Sequence, residues 1–243
     1  MNPLMMNDSH TRDQRTPVIV ALDFDNAPAT LAFARQLNPE LCQLKIGKEL
    51  FTATGRSLAE QLIQQGFKLF LDLKYHDIPN TVAHACKVAA QMGVWMVDVH
   101  TLGGRRMMEA AAEAVANEAH KPLLIGVTVL TSMEANDLTE VGISIPADEM
   151  VLRLAKLAKS SGLDGVVCSA QEASMLKQQV NDCLLVTPGI RLSLDINDDQ
   201  RRVMTPEMAL AAGSDYLVMG RPVTQAADPI AVLNQVNALA NLV

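Results

Sequence analysis

Eight short runs rich in Val, Ile and Leu recur along the chain, and that recurrence constrains its fold more than any other feature. They are VIVALDF (18–24), LCQLKIG (41–47), FKLFLDL (67–73), VWMVDVH (94–100), LLIGVTVL (123–130), LDGVVCS (163–169), LLVTPGI (184–190) and DYLVMGR (215–221). Most are continuously apolar, the pattern of parallel strands covered on both faces. The stretches between them carry helix signals. SLAEQLIQQG spaces its apolar residues helically and stops at Gly66, and DEMVLRLAKLAKSSG is amphipathic and stops at Gly162. Pro79 stands in the first turn of a helix through TVAHACKVAAQMG, and Thr205-Pro206-Glu207 reads as an N-cap followed by proline. Eight strand–helix units predict a parallel α/β protein. The length of 243 residues favours a closed (β/α)8 TIM barrel, which typically takes roughly 250. No linker or composition shift divides the chain. One barrel domain over 17–243, behind a flexible tail over 1–16, is therefore expected.

A formal net charge of −7 argues against a general nucleic-acid or membrane-surface binder, so any phosphorylated ligand needs a local positive pocket. Cys42, Cys86, Cys168 and Cys183 form no CxxC pair and read as buried, reduced thiols. The opening MNPLMMNDSHTRDQRT has no apolar core of a secretory leader, and Met5 or Met6 is an alternative start. No apolar run is long enough to span a bilayer. A cytoplasmic protein is expected.

A barrel of this kind keeps its chemistry at the C-terminal ends of its strands. Asp23 ends the first run, Lys45 lies near the end of the second, and Asp72 with Lys74 ends the third. Charges there are costly to desolvate unless paired or used. Asp72 and Lys74, two apart, share a strand face, and Lys45 on the neighbouring strand reaches the same place. Each opposite pair at about 4 Å is worth on the order of 4 kcal/mol before desolvation. Such an array keeps its lysines charged and sets a carboxylate beside a proton donor, as proton-coupled carbon chemistry requires. Asp77 lies past the strand, before Pro79, where a partner subunit could receive it. Asp72, Asp98 and His100 are the alternative, a metal-ligand set, which the lysine between the aspartates opposes. Across the rim, PGIR (188–191) and GRP (220–222) offer glycine amides and two arginines where barrels often hold phosphate. The polar segment RLSLDINDDQRRVMTP (191–206) is either a lid carrying Gln200 to the ligand or a plain surface loop.

The segments ALDF, LKIGKELF, DLKYHDIPNT, VTVLTS, PGIR and MGRPVT together resemble the bacterial orotidine 5′-phosphate decarboxylases, over about Val18 to Thr224. Asp-x-Lys-x-x-Asp alone also occurs in related phosphosugar decarboxylases; followed by IPNT and joined to PGIR and GRP it is more specific. Tyr75 stands where phenylalanine is also common in that family. The resemblance implies conversion of orotidine 5′-monophosphate to uridine 5′-monophosphate and CO2, the last step of de novo synthesis, without metal or organic cofactor. It implies that Lys45, Asp72, Lys74 and the Asp77 of a second subunit form a charged array in which Lys74 donates a proton to C6. Asp23, Lys45 and a partner's Thr81 would hold the ribose. Thr131 and Ser132 would lie near the pyrimidine, and Pro188, Arg191, Gln200, Gly220 and Arg221 near the phosphate. Two other readings stay open: a magnesium-dependent decarboxylase or epimerase of a sugar phosphate, and a non-catalytic phosphometabolite-binding barrel.

Overall fold

The computed structural model describes residues 16–193, 203–240 and 242. Gln200, most of the expected tail and the middle of the 191–206 segment lie outside these residues. The strands are β1 (Val18–Ala21), β2 (Gln43–Gly47), β3 (Leu69–Tyr75), β4 (Met96–His100), β5 (Leu123–Val127), β6 (Gly165–Val167), β7 (Leu184–Thr187) and β8 (Tyr216–Met219). The helices are α1 (Ala27–Ala34), α2 (Lys48–Gln64), α3 (Pro79–Gln91), α4 (Gly104–Ala116), α5 (Ala135–Glu140), α6 (Ala147–Ser160), α7 (Ala173–Gln179), α8 (Pro206–Ala211), α9 (Arg221–Thr224) and α10 (Pro229–Ala240). Each strand pairs in parallel with the next, and β8 returns to β1, so the sheet closes as expected.

Alternation along the strands explains why both faces are apolar. Val18 and Val20, Leu44 and Ile46, and Leu69 and Leu71 point outward into a layer shared with the helices. Ile19, Phe70, Met96, Ile125, Val186 and Tyr216 point inward and plug the barrel. Burying each such side chain is worth about 1.5–3 kcal/mol, so the interior is a packed core and not a pore. One step further along, the inward positions become Lys45, Asp72 and Asp98. The charged rim thus follows from the register: Lys45 pairs with Phe70 and Gly47 with Asp72.

The helix signals are met at their ends. Proline opens α3 and α8, and the Thr205 side chain accepts the Met208 N–H. Helix α2 differs from expectation. It begins at Lys48, directly after β2, and breaks at Gly55 (φ 62°, ψ −159°) before the predicted SLAEQLIQQG portion. Strand β3 differs too. From Leu71 to Tyr75 it takes four steps against two on β4, Val97 to Val99, so it bulges at the rim.

Candidate active site

Four charged side chains converge at that bulge. Lys45 Nζ lies 3.0 Å from Asp72 Oδ2 and 3.9 Å from Asp23 Oδ1. Lys74 Nζ donates to Asp72 Oδ1, so Asp72 is clasped between two ammonium groups. Burial pushes against the charge on both Asp72 and Lys45. The attraction wins on both sides: Lys45, a hydrogen bond from Asp98 and Lys74 hold the Asp72 carboxyl well below the usual range. Asp72, then Asp23, hold Lys45 above its ordinary value. Asp98 behaves oppositely. It is fully buried, and burial followed by the Asp72 charge raises its pKa far above that of a free carboxyl. Among the described residues no three His, Cys, Asp or Glu side chains converge as metal ligands, and lysines flank Asp72 instead.

The array opens onto a cavity of about 710 Å³, inside the usual range for small-molecule sites, about 300–1,000 Å³. Ala21, Phe70, Val127, Val167 and Val218 give it an apolar floor, and Asp23, Lys45, Asp72 and Lys74 line one side. Pro188, Arg191, Gly220 and Arg221 line it as well, with Thr131 also on its wall. Arg191 is buried, and its guanidinium donates to the Ile190 carbonyl. The two ends of the 191–206 segment are pinned at the rim, where Arg191 N–H donates to Met204 O and Met204 N–H to Gly189 O. A Cβ on Gly220 would come 3.3 Å from Asp23 Oδ2, so this backbone lies directly against the Asp23 carboxylate.

Three residues named from the sequence do not reach the cavity. Ser132 is exposed beyond Thr131, and Asp77 and Thr81 are exposed at the start of α3, where Asp77 Oδ1 accepts the Ile78 N–H. Asp98 had a place at a strand end but no role in the array. Its signal was a charge inside an otherwise apolar run, VWMVDVH.

Known proteins resemble this chain in sequence and fold. Over residues 16–236 the sequence matches the family described as orotidine 5′-phosphate decarboxylase / HUMPS. The chain belongs to that family. It is 73% identical to the orotidine 5′-phosphate decarboxylase of Neisseria meningitidis serogroup A, covering all of this chain and 99% of that one. It is 64% identical to that of Chromobacterium violaceum, over 98% and 96% of the two chains. The crystal structure of orotidine 5′-phosphate decarboxylase from Lactobacillus acidophilus, 40% identical, superposes with a TM-score of 0.84 over 93% of this chain and all of that one. The family resemblance read from the motifs is thereby met, as is the barrel.

Proposed function

We propose that this chain decarboxylates orotidine 5′-monophosphate to uridine 5′-monophosphate and CO2, without cofactor, with Lys74 as the proton donor. The observation that carries the reading is the clasp of Asp72 between Lys45 and Lys74 at the mouth of a cavity with an apolar floor. In the reaction the C6–carboxylate bond breaks, its electron pair stays on C6, and CO2 leaves. Lys74 Nζ–H then protonates C6, and the amine regains its proton from solvent.

Magnitudes divide the work. A substrate carboxylate placed about 4 Å from the ionised Asp72 meets repulsion of about 4 kcal/mol at an effective dielectric near 20. At 1.36 kcal/mol per decade that is roughly a thousandfold, short of the 10⁶-fold or more that enzymes typically supply. Most of the acceleration must come from stabilising the developing C6 carbanion, and the Lys74 ammonium is the charge in position to do it. Lys45 keeps Asp72 ionised throughout.

In this reading Asp23 and Lys45 hold the ribose hydroxyls, Thr131 flanks the pyrimidine with Ser132 exposed behind it, and Pro188, Arg191, Gln200, Gly220 and Arg221 take the phosphate. The active form is a homodimer whose second subunit supplies Asp77 and Thr81. Their exposure outside the cavity supports this. So does Ile78, a large apolar side chain next to Asp77 left 66% exposed. The four cysteines are buried thiols, in keeping with a reducing compartment such as the cytoplasm.

The test is to follow the absorbance of orotidine 5′-monophosphate with purified protein in excess EDTA. Turnover by wild type, reduced by about 10²–10⁴-fold or more in Lys74→Ala, is the expected result. Activity restored only by magnesium, or none in wild type, would overturn the reading.

A further inference from the structure

Asp98 has no part in the proton transfer just described and does not line the cavity, yet it is the most deeply buried charge-bearing side chain beside it. It faces inward from β4, one step above Met96 of the barrel plug. Two contacts tie it to the array. Its Oδ1 accepts the backbone N–H of Lys74 at 2.7 Å. Lys74 is at φ 50°, in the left-handed region, within the bulge of β3. A lysine keeps that conformation only where its surroundings over-determine it. The bulge takes the Lys74 N–H out of the regular ladder, and Asp98 gives it an acceptor.

The second contact is between carboxyl groups, Asp98 against Asp72. Two carboxylates cannot hydrogen-bond to each other; one must carry a proton. Asp98 Oδ2 finds no donor among the described residues, so it has a place for that proton. Asp72 has the ammonium groups of Lys45 and Lys74 against it, and Asp98 is ion-paired with neither. The other titratable groups facing Asp98 are Tyr75 of β3 and Cys86 of α3. Both are pushed up to about 12, chiefly by burial, and are neutral at physiological pH. The proton therefore belongs on Asp98.

We propose that Asp98, as a neutral carboxylic acid, is a positioning residue: its Oδ1 fixes the left-handed turn at Lys74 and its O–H donates to Asp72. The ammonium and the carboxylate are thereby presented to the cavity in the geometry the reaction uses. This rests on the decarboxylase reading, and the experiment separates the two.

Wild type, Asp98→Asn and Asp98→Leu are compared by kcat and KM for orotidine 5′-monophosphate, by uridine 5′-monophosphate binding and by thermal unfolding. Asparagine keeps an oxygen for the Lys74 N–H and an N–H for Asp72; leucine keeps neither. Asp98→Leu should lose about 10²-fold in kcat, with KM and product binding within about threefold, because the loss is one of geometry at the reacting atoms. Asp98→Asn should restore kcat to within about fivefold of wild type. Should the leucine chain fail to fold, Asp98→Ala takes its place with the same expectation. Asparagine falling as far as leucine, or leucine keeping kcat, overturns the assignment. A wild type without turnover overturns the decarboxylase reading and this one together.

Discussion

Asp72, Lys45 and Lys74 were legible because each interrupts an apolar run near its end, where an unpaired charge is too costly to be accidental. Asp98 is legible as a charge in an apolar run but its role is not, since that depends on a bulge that brings the Lys74 backbone onto it, and no side-chain pattern announces a backbone turn. His100, two residues along, carries the pH dependence. Burial, followed by His76 stacked on it with ring centroids 5.3 Å apart, lowers its pKa to about 4. In the unfolded chain it titrates near 6.5. Between these values the unfolded state holds the extra proton, so stability rises as pH rises through that window and is complete above it. After allowance for solvent screening the effect is about 1–2 kcal/mol. Urea unfolding at pH 5 and pH 7.5 should show that difference, and His100→Asn should flatten it. An unchanged pH difference in the variant would remove His100 as the cause.

Strands and helices were legible in kind and order, and less so where they begin. The KELFTAT portion of α2 follows β2 with no loop and no side-chain cap, so no start signal marks it. The break at Gly55 lets this portion leave β2 directly while Leu58, Ala59 and Leu62 turn onto the barrel. Its φ and ψ fall in a region essentially restricted to glycine. A Cβ there would meet nothing within 4 Å, so a substitution strains the backbone without crowding a neighbour. Gly55→Ala should destabilise the fold by about 1–3 kcal/mol in denaturant unfolding, with kcat for orotidine 5′-monophosphate unchanged. A variant as stable as wild type would mean the break relaxes into continuous helix. The β3 bulge was illegible for a related reason: LDLKY reads as ordinary alternation, and only the pairing with β4 reveals two extra residues.

At the scale of the whole molecule, the closed barrel follows from eight apolar runs and their spacing, and it gathers residues from Asp23 to Arg221 around one cavity. A single barrel does not gather Asp77 or Thr81, and on this account the catalytic site is complete only when two copies meet. The proposed dimer interface is not written as a motif; its trace is two polar residues that do not line the cavity and the exposed Ile78 between them in sequence. Twofold symmetry makes the claim testable. Lys74→Ala and Asp77→Ala homodimers, each nearly inactive, are unfolded together at equal concentration, refolded and assayed with orotidine 5′-monophosphate. Half of the dimers should be mixed, each with one intact site of two, so activity should return to about a quarter of wild type. Mixed dimers, isolated and confirmed, that turn over no faster than either parent would contradict a site built from both chains.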